Sequence, residues 1–473
     1  MQDIDKIYID GEFATPHGEE RFDLFNPATE QVIGRVRLAD EHDANRAVAA
    51  AKRAFASFSL TGKSERLDML QSMAGAVAAR EDELYEAIID EYGSPVERAR
   101  WMARYAQTAM VEAARTLRQY DFTKRINTSE VVMQPVGVAG LITPWNANAH
   151  FICNKLATAV AAGCTAVIKP SEMSAIQTRI VTEALHEAGL PAGVFNIVTG
   201  RGEVVGATLS AHPDVAKISF TGSTAVGKSI LRAGADTLKR ITLELGGKSP
   251  FIVLDDADFD EAVPLALQAG FMNNGQACIA GTRILVAQQR VAEFEARIRA
   301  AVEKIQSGDP RDPATVIGPM VSEKQWNRVQ RYIRIGLDEG ARLLTGGAGR
   351  PDGLESGWFV RPTVFTDVRN DMTIAREEIF GPVLSIIAYR DLEDAIAIAN
   401  DTTYGLQAYV VSADAAKARE VVARIDAGRV MINAITHDPA VPFGGFKQSG
   451  IGREMGTLGL EAYLEPKAVM GTF

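Results

Sequence analysis

Lys217-Ile-Ser-Phe-Thr-Gly-Ser-Thr-Ala-Val-Gly-Lys-Ser229 passes from an apolar strand-like run, through a glycine turn, into helical spacing. Strand, turn and helix in that order form the repeating unit of a parallel sheet. Upstream lie the apolar runs Val136–Ile142, Thr165–Ile168 and Val194–Val198, and Phe251–Leu254 lies downstream, with helical stretches between them. None of these runs alternates strictly, which predicts strands buried on both faces and wrapped by helices. The alternation resumes with strands at Arg283–Ala287, Val383–Tyr389, Ala408–Ser412 and Arg429–Asn433. Helices are predicted at Arg290–Gln306, Leu392–Asn400 and Ala415–Ile425. Two successive α/β layers are expected rather than one large sheet.

Before Val136 the pattern differs. Short strands are predicted at Lys6–Ile9, Arg21–Phe25 and Gln31–Arg37, with a turn at Asp10-Gly11. Asp40 suits a helix N-cap, and helices are expected from Asp43, over Ser64–Arg80 and through Glu81–Tyr120 with a break near Gly93-Ser94-Pro95. The tail, Gly444–Phe473, is rich in glycine and charge and is expected to be a docked extension rather than core.

The chain has 473 residues, enough for roughly three domains. Its composition, 47% hydrophobic and 23% charged, is that of an ordinary folded protein, so disorder is excluded. A net charge of −10 gives no overall field to attract a nucleic-acid backbone. The stretch Leu156–Ile168 is about half of what a bilayer span needs. Cys153, Cys164 and Cys278 show no paired spacing, and the six histidines are scattered, so neither a disulfide framework nor a metal site is expected. The acidic, mixed N-terminus does not read as a targeting peptide, and a cytoplasmic location is expected.

Five local patterns suggest chemistry. Gly222 to Ser229 matches the phosphate-loop pattern G-x4-G-K-[ST], and Asp255-Asp256 follows an apolar run as a metal-holding strand end would, so a nucleotide hydrolase is one reading. Leu243-Glu244-Leu245-Gly246-Gly247-Lys248 sets a carboxylate among apolar neighbours, suited either to a base of raised pKa or to a pair with Lys248. Cys278 follows Gly275-Gln276-Ala277 and precedes Ala280-Gly281, small residues that would clear room for a substrate; Cys153 and Cys164 read as buried hydrophobes. Asn146, after a strand, can donate to an oxyanion or simply fill a turn. Lys169 and Glu172 at a strand's carboxyl end could hold ribose hydroxyls or form a surface pair.

Trp145-Asn146, Lys169-Pro-Ser-Glu172, Phe220-Thr-Gly-Ser223, Leu243 to Lys248, Gly275 to Cys278, Glu377-Glu-Ile-Phe-Gly-Pro382 and Pro442-Phe-Gly-Gly-Phe-Lys447 occur in one order and spacing. In that order they resemble the NAD(P)-dependent aldehyde dehydrogenase superfamily over essentially the whole chain. The resemblance implies an α/β fold with a Rossmann-like cofactor domain (1–118 and 137–246), an α/β catalytic domain (247–447) and a small β oligomerisation arm (119–136 and 448–473). It implies that Cys278 attacks an aldehyde, that Asn146 and the Cys278 N–H hold the oxyanion, and that Glu244 activates water against the thioester. Lys155 would play a supporting part near the active site and Arg283 a structural one. Lys169 and Glu172 would hold the adenosine ribose, and Glu378 and Phe380 the nicotinamide ribose. Trp145, Ser171, Gly222, Ser223, Gly227, Leu245 and Gly246 would line the rest of the cofactor site, the Phe-Thr-Gly-Ser turn facing a pyrophosphate. NAD is expected rather than NADP, because Glu172 would repel a 2′-phosphate. A homodimer or homotetramer is implied, pairing through Gln119–Pro135 and the tail, where Glu461–Glu465 alternates like a pairing strand.

One departure bears on the substrate. The family commonly has an aromatic and a proline after Trp-Asn; here the string is Trp145-Asn146-Ala147-Asn148-Ala149-His150-Phe151. Asn154, and His437 and Asp438 in the loop Ala434–Val441, likewise speak against a pocket for a long aliphatic chain; His150 and Asn154 either face the substrate or bond within the helix bundle.

Overall fold

The computed structural model describes residues 1–471; Thr472 and Phe473, the end of the expected arm, lie outside the described residues. Asp40 begins the first long helix, Glu41–Phe58, with a reciprocal cap. Its carboxylate accepts from the Asp43 N–H, and the Asp43 carboxylate accepts from the Asp40 N–H. Helices Lys63–Ala78, Glu81–Tyr92 and Val96–Gln119 follow. The last two separate at the predicted break, where Gly93 takes a left-handed φ of +78° as C-cap and Pro95 starts the next helix.

The first of two large sheets has eight strands. Its centre is parallel, in spatial order Arg240–Glu244, Val215–Thr221, Val138–Ile142, Thr165–Lys169, Phe195–Ile197. The chain starts at Val138–Ile142, winds outward one way, then returns to wind the other way from Val215–Thr221. This is the doubly wound order, in which ligands bind at the strands' carboxyl ends where the winding reverses. Antiparallel strands Gly450–Ile451 at one edge and Ile7–Ile9 with Glu12–Ala14 at the other complete the sheet.

The second sheet has seven strands, in order Arg342–Thr345, Thr363–Thr366, Val383–Tyr389, Arg283–Ala287, Pro250–Val253, Gln407–Val411, Arg429–Ile432. All pairings are parallel except that of Arg342–Thr345. Two α/β layers are therefore present, as the sequence pattern predicts. The strands Arg342–Thr345 and Thr363–Thr366 have no counterpart in that reading; at four residues each they are too short for a period to register. The helix Glu323–Asp338, capped by Ser322, was also missed. A three-stranded antiparallel sheet joins Leu464–Met470, Ser129–Pro135 and Thr123–Ile126. Among the described residues no helix is long and apolar enough to cross a membrane.

The tail corrects the expectation twice. Glu461 ends a short helix, Gly456–Glu461, and the pairing strand begins only at Leu464, matched over seven residues to Ser129–Pro135 of the same chain. Gly450–Ile451 lies in the first sheet rather than in the arm, and Ser449, Glu454, Leu460 and Tyr463 are buried. The rest of the tail is largely exposed, as a docked extension would be, and it is anchored where Glu454 pairs with the buried Lys155.

Candidate active site

Cys278 follows the helix Phe259–Phe271 in a sharply bent loop. Asn273 and Asn274 both take left-handed conformations, with φ of +56° and +59°. Side-chain amides hold this bend. Asn273 donates to the Asn146 carbonyl at 2.9 Å, and Asn274 donates to the Gly93 and Pro319 carbonyls at 3.2 Å each. Gln276 donates to the Tyr92 hydroxyl and accepts from the Val321 N–H. The Asn146 amide donates to the Gln276 carbonyl, two residues before the cysteine, at 3.0 Å, and its second N–H has no partner among the described residues. Gly275 does not clear room for substrate as expected: a Cβ there would run into the Gly381 backbone, and one at Gly281 would press on the Tyr409 ring. The small residues serve the protein's own packing. Burial, then the negative charges of Glu378 and Glu244, push the Cys278 thiol up to about 12. Cys153 and Cys164 are buried, with thiols pushed up to about 12 and about 11.

Glu244 ends the strand Arg240–Glu244, is buried, and among the described residues neither carboxylate oxygen has a hydrogen-bond partner. It does not pair with Lys248, whose own Nζ is buried and unpartnered. Burial and the nearby Glu454 charge hold the Glu244 carboxyl well above the usual carboxylate range. The two glycines after it permit close convergence. A Cβ at Gly246 would lie 2.7 Å from Glu378 Oε2, and one at Gly247 would collide with the Cys278 carbonyl. Gly247 N–H donates to Glu378 Oε1 at 3.0 Å. Glu378 is raised to about 7, chiefly by burial. Behind Glu244, Lys155 donates to Ser219 at 2.8 Å and pairs with Glu454, a partner the sequence reading missed because it lies 299 residues away. Arg283 is fully buried and donates to the Lys248, Ile398 and Ala399 carbonyls.

A second group lies at the carboxyl ends of the first sheet. Ser223 caps the helix Thr224–Gly234 by accepting from the Val226 N–H, and Gly222 N–H donates to the Glu244 carbonyl at 3.0 Å. At Gly227 a Cβ would lie 2.6 Å from Leu245 Cδ2, so the glycine lets this helix close on the strand end. Ser171 accepts from Met173 N–H. Lys169 and Glu172 are paired at 3.3 Å, and Arg201, which the sequence reading missed, binds the other Glu172 oxygen at 3.3 Å. Trp145 meets Phe380 edge-to-face at 5.4 Å, and Phe380 takes a φ of +65°. This surface fits a dinucleotide: helix N–H groups suit phosphate, glycines allow close approach, and a carboxylate between two cations suits hydroxyls.

The phosphate-loop reading fails on geometry. The strand ending at Asp255-Asp256 belongs to the second sheet, whereas the glycine turn belongs to the first. Asp256 is spent on Ser412 and the Asp414 N–H. Lys228 points away to Gln448, at 2.9 Å. The fold also brings His17, Asp40 and His42 together at the surface, their ligand atoms within 4.8 Å, which sequence spacing did not foretell. Asp40 is occupied there as helix cap and as partner of His17 at 2.6 Å.

Residues 13–469 match the sequence model described as the Aldehyde dehydrogenase family. A 3-succinoylsemialdehyde-pyridine dehydrogenase of a Pseudomonas species is 46% identical over 100% of this chain and 99% of its own length. Aldehyde Dehydrogenase C from Pseudomonas syringae, solved as a cysteine-to-alanine mutant with NAD+ and octanal, superposes with a TM-score of 0.97 at 45% identity. That match covers 99% of this chain and 97% of the other. A Mycobacterium tuberculosis aldehyde dehydrogenase complexed with NAD+ gives 0.96 at 42% identity, covering 99% and 98%.

Proposed function

The chain belongs to the aldehyde dehydrogenase family, and on that premise we propose that it oxidises an aldehyde to the carboxylic acid with NAD+, through a covalent intermediate on Cys278. The observation that carries this reading is Glu244: a buried carboxylate with both oxygens unpartnered, packed through Gly247 against the Cys278 backbone. Such a group is costly to the fold and suits one that sheds and regains a proton during turnover.

In this reading Cys278 Sγ bonds to the aldehyde carbon while its proton passes to a base. The oxygen becomes an alkoxide held by the free N–H of Asn146 Nδ2 and by the Cys278 N–H. NAD+, when bound, supplies the hydride acceptor. Glu244 then takes a proton from water as its oxygen attacks the resulting thioester, and the carbon–sulfur bond breaks to return Cys278. Behind Glu244, the Lys155 charge favours its ionised form and the Glu454 charge opposes it. A free carboxylic acid is the product, and coenzyme A is not required. A panel of aldehydes assayed for NADH formation tests the reading; silence across aliphatic, aromatic and polar members overturns it.

Glu172 is the residue we assign to cofactor choice. A 2′-hydroxyl donates to it, whereas a 2′-phosphate meets like charge. The wild type should favour NAD+ by about tenfold or more in kcat/KM. Glu172→Gln should narrow or reverse that preference, because Lys169 and Arg201 remain to receive a phosphate. Equal use of both cofactors by the wild type refutes the assignment.

We also infer a dimer or larger assembly. Arg429–Ile432 and Leu464–Met470 are the outer strands of their sheets, each with one unpaired edge among the described residues. Open edges invite pairing with another chain. Light scattering should therefore give at least twice 51.0 kDa; a clean monomer at micromolar concentration overturns the inference.

A further inference from the structure

The polar departure after Trp145-Asn146 continues into a cluster that the chemistry above does not use. On the helix Val96–Gln119, Arg98, Trp101 and Tyr105 share a face at spacings of three and four residues. The Arg98 guanidinium lies 4.0 Å over the Trp101 ring, and Trp101 stacks on Tyr105 at 4.5 Å. Tyr105 in turn stacks on His150 at 4.3 Å, and His437 stands edge-on to Tyr105 at 5.2 Å. His150 belongs to the helix Asn148–Ala162, which begins two residues after Asn146. A narrow cleft runs along Tyr105, His150, Asn154 and Pro439.

Three buried donor atoms in this cluster have no hydrogen-bond partner among the described residues: Arg98 Nε, the Tyr105 hydroxyl and His437 Nε2. All three can donate. Arg429 Nη1 lies 3.2 Å from His437 Nδ1, and a guanidinium can only donate; Nδ1 therefore accepts, and the ring proton sits on Nε2. His437 stays neutral, because burial and then the Arg429 charge lower its pKa to about 3. Among the described residues neither Arg98 nor Arg429 forms a salt bridge. The carboxylates at the margin are only partly engaged: Glu112 lies 3.5 Å from Arg115, its Oε2 having no hydrogen-bond partner among the described residues, and Asp438 accepts from the Ala440 N–H at 2.9 Å while its charge faces Arg429. Buried donors are almost always satisfied, and leaving one without an acceptor is costly. Three of them beside two unpaired guanidiniums are the complement of an anionic acceptor.

We propose that Arg98, Tyr105, His437 and Arg429 form a subsite for the far end of the substrate, and that the aldehyde oxidised here carries a carboxylate there, as the semialdehyde of a dicarboxylic acid does. The proposal rests on the aldehyde-oxidising reading. A carboxylate offers about four lone-pair positions, enough for all three orphaned donors, and its bonds to charged donors are the stronger kind. Trp101 and Tyr105 wall the subsite and hold the Arg98 plane in place.

The test compares kcat/KM for 4-oxobutanoate with butanal, and for 5-oxopentanoate with pentanal, using the full-length protein and NAD+. The carboxylate member of each pair should be favoured by about tenfold or more, the worth of one hydrogen bond to a charged group. In Arg98→Met and in Arg429→Met the ratio within each pair should fall by about tenfold or more. Because the ratio is internal to each variant, loss of folded protein does not move it. If either variant fails to fold, Tyr105→Phe and His437→Phe keep a ring, remove a donor and carry the same comparison. Wild-type ratios near one, or ratios unmoved by the substitutions, overturn the subsite and leave aldehyde oxidation standing. Oxidation of other aldehydes in the wider panel but of none of these four overturns the subsite alone; silence across the whole panel sinks both.

Discussion

Cys278→Ser is expected to lower steady NADH formation by about 10⁴-fold or more, the scale on which removing an enzyme's nucleophile acts. NAD+ binding should stay nearly intact, because the loop is held by Asn273, Asn274 and Gln276 and not by the thiol. A serine hydroxyl fits the same space but is a far weaker nucleophile toward a carbonyl. The environment sharpens the contrast. With its pKa pushed up to about 12 by burial and by two nearby carboxylates, the Cys278 thiol is uncharged at rest near neutral pH. It must lose its proton as the bond to carbon forms, and a hydroxyl does so less readily still. Steady-state NADH formation with a saturating aldehyde, beside NAD+ titration followed by fluorescence, checks both halves. Full activity in the variant would remove the covalent mechanism. Cys153→Ser and Cys164→Ser, both buried, should leave turnover per folded molecule unchanged.

Glu244→Gln separates the two halves of the reaction. Thioester formation should survive and release a first equivalent of NADH as a burst. Steady turnover should then fall by about 10²–10⁴-fold, the usual worth of a positioned base. Wild-type turnover in the variant, or a need for coenzyme A in the wild type, would end the hydrolytic assignment. The same substitution has a stability signature. Burial and Glu454 raise the carboxyl's pKa in the folded chain, so the native state holds a proton that the unfolded chain releases above about pH 4.3. Where the native state binds more protons, stability falls as pH rises. Glutamine carries no such penalty. The Tm of Glu244→Gln should therefore exceed the wild type's by a margin that grows from pH 5 to pH 8, while activity moves the opposite way. A residue kept at a cost to stability and lost at a cost to turnover is what a functional site predicts.

The strand–turn–helix at Lys217–Ser229, the two α/β layers, the Asp40 cap and the break at Gly93-Ser94-Pro95 could all be read along the chain. These features depend on local rules, apolar runs, capping residues and glycine punctuation, which act over a few neighbours. Short strands such as Thr363–Thr366 escaped because four residues cannot display a period. The motif order was likewise legible, and with it the residues Asn146, Glu244 and Cys278.

Tertiary structure alone decided how those residues are used. Whether Glu244 pairs with Lys248 or stands alone cannot be read from a four-residue spacing. The double glycine that draws Glu378 and the cysteine loop over it leaves both Glu244 and Lys248 unpartnered. The phosphate-loop pattern was locally complete, and only sheet order places its supposed acidic partner in another sheet. Glu454 reaches Lys155 from 299 residues away, which anchors in the core a tail whose composition reads as surface. Arg98 and His437, 339 positions apart in the chain, meet around Tyr105 for the same reason. Composition and periodicity report what each residue prefers, whereas unmatched charge and unmatched donors are properties of pairs, and the pairs exist only after the chain has folded.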